Sequence, residues 1–145
     1  PVIVWRKELR PDSGGAGKTR GGLGQFMEVG AQEGHEFDIQ AMFDRSQHPA
    51  RGRRGGSSGA PTTIAQDDGS AMRVKGKQFV PHGRKVMMAF PGGAGYGDPL
   101  GRPKELVKRD LARGYISEET ARTDYGLSAE DIAAVQSAVA RGEQI

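Results

Sequence analysis

The chain has 145 residues, a formal net charge of +3 and no cysteine. The length bounds it to about one domain. The missing cysteine excludes a disulfide framework, a thiolate nucleophile and a cysteine-ligated zinc. Leu, Ile, Val and Phe supply only 26 residues, about 18%, while glycine reaches 23, against a usual glycine share of about 7%. The core is expected to be thin and to need a partner surface. No stretch approaches the roughly 20 apolar residues of a membrane span, and Pro1–Lys7 carries no secretory pattern. Pro1 reads as what remains after an initiator Met is trimmed, and the expected location is cytoplasmic, away from membranes.

Val2–Leu9 is β-branched at its start and predicts a strand with Ile3, Trp5 and Leu9 on one face. Gln25–Val29 is a short candidate. His35–Phe43 alternates cleanly, with Phe37, Ile39, Ala41 and Phe43 on one side and Glu36, Asp38 and Gln40 on the other. That period of two marks a half-buried strand. Met72–Val80 sets Met72 and Val74 against Arg73, Lys75 and Lys77. Arg84–Phe90 groups Val86, Met88 and Phe90. Between these runs lie Asp12–Gly24, Asp44–Gly69 and Pro91–Gly101, rich in glycine and without periodicity. Such segments build neither helix nor ladder well but can lie extended in polyproline II form.

All eight prolines and 20 of the 23 glycines fall at or before residue 103. Beyond it the pattern turns helical. Pro103 opens a first helix with Leu106, Val107 and Leu111, ending at Gly114. Ser117-Glu118-Glu119 opens a second, ending at Gly126. Ser128-Ala129-Glu130-Asp131 starts a third carrying Ile132, Val135 and Val139, ending at Gly142. The predicted class is α+β: a Gly/Pro-rich β body over 1–103, barrel- or sandwich-like with polyproline-like loops, and a short helical tail over 104–145.

Four features invite a chemical reading. Ser13-Gly14-Gly15-Ala16-Gly17-Lys18-Thr19 resembles a phosphate loop, but Asp12 stands where the pattern needs glycine. The following Arg20-Gly21-Gly22-Leu23-Gly24 cannot open the helix such a loop requires. Arg51-Gly52-Arg53-Arg54-Gly55-Gly56 resembles an RNA-binding arginine–glycine segment. It is a single copy without aromatics nearby, so a solvated or subunit-facing basic loop is the favoured reading and nucleic acid is not an expected partner. His35, His48 and His82 lack metal-pair spacing, and no metal site is expected. Pro91–Pro99 packs Gly92, Gly93, Gly95 and Gly97 around Tyr96 and demands a specific backbone path. It is the candidate site or interface loop, with the Tyr96 hydroxyl and Asp98 carboxylate as its polar groups.

Glu8-Leu9-Arg10-Pro11-Asp12-Ser13-Gly14-Gly15-Ala16-Gly17 with Arg20-Gly21-Gly22-Leu23-Gly24 resembles the "ELRPDSGGAGxxRGGxG" signature of the hydantoinase B/oxoprolinase family. Pro91-Gly92-Gly93-Ala94-Gly95-Tyr96-Gly97-Asp98-Pro99 is similar to its "PGGGGYGDP" segment. Arg109-Asp110, Gly114-Tyr115-Ile116-Ser117 and Asp124-Tyr125-Gly126 follow its C-terminal end. The resemblance spans residues 5–126 in order. It implies ATP-dependent chemistry, in which a phosphorylated carbonyl oxygen is carboxylated or hydrolysed. ATP and a divalent metal would then sit on partner A-type and B-type subunits, with no cofactor on this chain and no catalytic residue carried over. Family B subunits are several times longer, so the expected role is a structural or site-completing small subunit of a carboxylase of the acetophenone carboxylase type. The alternatives are the C-terminal part of a hydantoinase or 5-oxoprolinase B subunit, acting on amides, and an RNA-binding protein using Arg51–Arg54.

Overall fold

A computed structural model describes residues 1–143 and 145; Gln144, within the expected tail, lies outside the described residues. Six strands run β1 (Val2–Leu9), β2 (Gln25–Ala31), β3 (Phe37–Met42), β4 (Thr63–Gln66), β5 (Lys75–Val80) and β6 (Lys85–Ala89), followed by α1 (Lys104–Ala112), α2 (Glu118–Thr123) and α3 (Ala129–Ala140). One antiparallel sheet has the order β1-β2-β6-β4, and β3 pairs with β5 in a second. The two sheets share a core. Ile64, Val86 and Met88 from the first meet Val80, Phe37 and Ile39 from the second, with Met27, Val29, Met72 and Val74 packed around them. This is the α+β, sandwich-like class that the alternation predicts.

Two strand expectations need correction. A bulge between Val4 and Arg6 breaks β1 at Trp5: Ile3 pairs with Gly30 but Leu9 pairs with Gln25. An inserted residue turns the strand over, so Ile3 and Leu9 lie on opposite faces. Within the supposedly aperiodic 44–69 stretch, Thr63–Gln66 pairs with β6. Four residues between Pro61 and the Gly69 turn are too few to show a period.

The glycines form a distinct element, a bundle of irregular segments from 13–24, 50–60 and 91–97 joined by backbone hydrogen bonds, the first two turning back through Gly21 N–H to Gly15 and Gly56 N–H to Arg53. Gly15 N–H donates to the Gly93 carbonyl, Gly93 N–H to Gly22, Gly95 N–H to Ser57, and Ser57 N–H to Ala16. The spacing is three residues on every side. A Cβ added at Gly92 would collide with the Ser13 carbonyl, and one at Gly95 with the Ala16 carbonyl. From the other flank, a Cβ at Gly59 would strike Gly92, and one at Gly56 would strike Gly95. A threefold repeat is the polyproline II period, and only glycine lets such chains pack backbone to backbone.

The helices dock on this bundle. Ala16 joins Val107, Ile116, Ala121, Tyr125, Leu127 and Ile132 in a second core. Helices this short do not persist alone in water. Burying residues such as Val107 and Ile132, at roughly 1.5–3 kcal/mol each, holds them. Ser117 and Ser128 cap α2 and α3 by accepting from the Thr120 and Asp131 N–H groups, as the sequence predicts. Asp12 accepts from the Ser117 N–H at 2.8 Å and donates its own N–H to the Tyr115 carbonyl. Val139, expected on the buried stripe, is 46% exposed, because α3 turns only Ile132 and Val135 inward.

Candidate functional site

The 91–97 segment occupies the middle of the bundle, and its loop is fixed almost entirely through main-chain bonds. Tyr96 and Thr19 exchange both N–H···O bonds at 3.0 Å. Gly97 N–H donates to the Arg53 carbonyl at 2.9 Å, and Arg53 N–H to the Gly95 carbonyl at 3.1 Å. Gly92 and Gly95 are buried against neighbouring carbonyls, while Gly93 spans Gly15 and Gly22. Tyr96 alone carries a large side chain here, and its ring is 50% exposed. The Arg54 guanidinium lies 5.9 Å from the ring centroid, on a backbone with φ +50. A non-glycine residue held left-handed carries strain, and here it sets the cation beside the aromatic face. Asp98 acts locally, because its carboxylate accepts from the Leu100 N–H at 3.0 Å and caps the 3-10 turn Pro99–Gly101. The loop therefore offers a rigid aromatic–cation contact surface, and Asp98 serves its fold.

The same bonds decide the phosphate-loop question. The Gly15, Lys18, Thr19 and Gly21 N–H groups donate to the Gly93, Gly97, Tyr96 and Gly15 carbonyls, and the segment bends back on itself and opens no helix through Gly24. Groups already committed to carbonyls cannot cradle phosphate, so Ser13–Thr19 does not fit ATP. The three histidines are exposed; His82 Nε2 accepts from the Gly34 N–H at 2.7 Å, beside His35. Among the described residues, no group of three or more His, Cys, Asp or Glu side chains is placed to hold a metal. No helix among them is long and apolar enough to cross a membrane.

A buried ionic cluster is not visible in the sequence pattern. Asp110, 2% exposed on α1, accepts from Arg20 Nε at 2.9 Å and from Arg102 Nη2 at 2.8 Å. Arg102 also donates to the Lys18 carbonyl at 3.2 Å, and Arg20 lies 5.7 Å from the Tyr115 ring centroid. One carboxylate thus ties two bundle-side guanidiniums to the helical tail. Beside it, the Tyr125 hydroxyl is buried near the Gly17 backbone without a well-formed hydrogen bond. Burial pushes its pKa up, against the opposing pull of the Arg102 charge. Arg109-Asp110 looks like an ordinary charged helix surface in sequence, and only the fold brings Arg20 and Arg102 to it.

Known proteins share this sequence and this fold. The sequence model of the Hydantoinase B/oxoprolinase family matches residues 1–99, and the chain belongs to that family. It is 32% identical over 139 residues to the caprolactamase beta subunit of Pseudomonas jessenii, covering 88% of this chain and 23% of that one. It is 31% identical over 137 residues to the B subunit of a putative D-/L-hydantoinase from a Pseudomonas species, covering 90% of this chain and 23% of the other. It is 29% identical over 159 residues to the acetophenone carboxylase delta subunit of Aromatoleum aromaticum, covering 86% and 23%. The solved ATP-dependent caprolactamase of Pseudomonas jessenii superposes with TM-score 0.74 at 30% identity over 97% of this chain and 26% of that one. Nucleotide-free acetone carboxylase shares the fold, with TM-score 0.68 at 20% identity over 98% and 25%. The chain spans about a quarter of the length of the relatives it matches. They are subunits or parts of a caprolactamase, a putative hydantoinase and two carboxylases, with ATP dependence stated for the caprolactamase and for acetone carboxylation.

Proposed function

We propose that this chain is a structural, site-completing component of an ATP-dependent multi-subunit enzyme, docked on a larger B-type polypeptide that works with ATP-binding A-type subunits. The observation that carries the reading is the bundle. Its backbone hydrogen bonds are consumed internally, so it serves as a rigid scaffold that presents the half-exposed Tyr96–Arg54 pair. Tyrosine and arginine on a fixed backbone suit an interface anchor. ATP and a divalent metal belong to the partner subunits in this reading.

Two reactions fit such a complex. Carboxylation of an enolised ketone, in the manner of an acetophenone carboxylase with this chain as its small subunit, is supported by the relationship to that enzyme's delta subunit. Ring-opening hydrolysis of a cyclic amide is favoured by the likeness to caprolactamase, which exceeds that to acetone carboxylase in both identity and TM-score. The test is native mass spectrometry on the tagged chain purified from its own source, then assays on what co-purifies. Recovery with larger subunits of this family is the expected result. ATP-dependent bicarbonate fixation into a ketone, or ATP-dependent lactam opening, then separates the reactions. A lone 15.5 kDa species would refute the reading. Salt-sensitive RNA binding abolished by replacing Arg51, Arg53 and Arg54 would put the nucleic-acid alternative in its place.

A further inference from the structure

The β1-β2-β6-β4 sheet is covered on one face only. The register pairs Phe26 with Ala89 and Glu28 with Met87, and across β4 pairs Thr63 with Ala89 and Ala65 with Met87. Directly opposed residues point the same way, so these side chains share the face turned away from the Val86, Met88 and Ile64 core. This face holds a groove of about 190 Å³ lined by Phe26, Ala65, Met87 and Ala89 together with Arg6, Met27, Thr63 and Met88. The Arg6 and Arg10 guanidiniums lie 5.3 and 5.7 Å from the Phe26 ring centroid. Farther along, Trp5 is 56% exposed beside the Lys85 ammonium.

Strand β6 opens on Lys85, which bridges to Glu28 at 2.6 Å on the outer face, and then runs Val86-Met87-Met88-Ala89 into Phe90, apolar throughout. A strand wet on one face alternates, and a continuous apolar run belongs to a strand buried on both. This central strand is buried on one side by its own chain, and on the other Ala89 is 8% exposed while Met87 and the neighbouring Phe26 remain partly exposed. In the relatives the same region is about a quarter of a longer polypeptide, so the missing cover has a source.

We propose that the Phe26–Ala65–Met87–Ala89 face is the surface on which the larger B-type polypeptide seats an apolar face of its own. The inference rests on the docking reading above and assigns it to one place in the fold. Methionine and phenylalanine suit the role, because an unbranched thioether adapts to whatever shape is pressed on it. The Tyr96–Arg54 pair belongs to a different part of the chain, at the bundle.

Methionine oxidation tests this without altering the fold. Met87 lies on the bare face, and Met42, 74% exposed on β3, belongs to the other sheet and serves as an internal reference. The free chain and the complex purified from source, its larger chain identified by peptide mapping as a member of the same family, are treated with dilute peroxide and digested. Sulfoxide at Met87 is expected to fall at least about fivefold in the complex while Met42 is unchanged. Met87→Glu is expected to abolish recovery of the larger chain while the variant keeps its circular dichroism. A complex in which Met87 oxidises as fast as in the free chain would overturn the proposal and leave the docking reading standing. A dimer of this chain alone that protects Met87 would overturn it in favour of a second copy. Failure to recover any larger family member would sink both readings together.

Discussion

Replacing Gly95 with alanine adds one methyl group to a tightly crowded point of the bundle. The new Cβ would sit inside van der Waals contact of the Ala16 carbonyl carbon and oxygen and 2.7 Å from the Gly15 oxygen. All three are backbone atoms, so no rotamer change relieves the clash. Overpacking of this kind costs about 1–3 kcal/mol. Moving the segments apart stretches the bonds from Gly95 to Ser57 and from Ser57 to Ala16, at about 1 kcal/mol each. The expected loss is about 3–5 kcal/mol. For a chain of this length, at about 3 °C per kcal/mol, that lowers Tm by roughly 9–15 °C. Gly22→Ala is the matched control. Nothing lies within 4 Å of its added Cβ, and its φ is outside the left-handed range. It is expected to leave Tm unchanged or raise it slightly, since alanine narrows the unfolded ensemble. Differential scanning fluorimetry reads both. If Gly95→Ala melts within a degree or two of the parent, the close-packed bundle is wrong. Because the collision is with the chain's own backbone, the damage reaches folding first and assembly second.

Asp110→Ala leaves the Arg20 and Arg102 guanidiniums, 14% and 9% exposed, without their shared carboxylate. Breaking a buried pair costs about 3–5 kcal/mol, so the urea midpoint should drop sharply and amides of residues 104–140 should exchange faster; a loss below about 1 kcal/mol would count against the cluster. Tyr125→Phe removes a buried hydroxyl that has no well-formed partner and is expected to change stability little at neutral pH. In the parent, the folded state holds the phenolic proton more tightly than the unfolded chain, whose value is 10.0. Its contribution is present in full below pH 10 and lost as pH rises through the higher folded value. Alkaline melts should therefore show a steeper decline for the parent than for Tyr125→Phe, and parallel curves would contradict the burial.

Most regular elements are legible in the residues. Phe37, Ile39 and Ala41 show the inner face of β3, and Ser117 and Ser128 mark their helices because a cap is a local hydrogen bond. What the sequence hides is non-local. The partners of Gly92 and Gly95 leave no pattern, since glycine specifies contact by lacking a side chain. Asp110 looks solvated until Arg20 and Arg102 arrive from elsewhere. The turnover at Trp5 depends on a register that only β2 defines. Tyr96 and Asp98 stand two apart in one loop, yet only the fold shows that Asp98 caps a turn while Tyr96 faces outward.

The bundle also sets an order of events. Its first segment, residues 13–24, finds its hydrogen-bond acceptors in 91–97, near the far end of the β body. Contacts between residues so distant in sequence close slowly, because a long loop must be ordered before any bond rewards it. During synthesis the N-terminal glycines must wait, unpaired, until the Tyr96 loop has left the ribosome. The tail cannot form its core earlier, since Ala16 is part of that core. The chain is therefore expected to fold in one late step, with no stable N-terminal half.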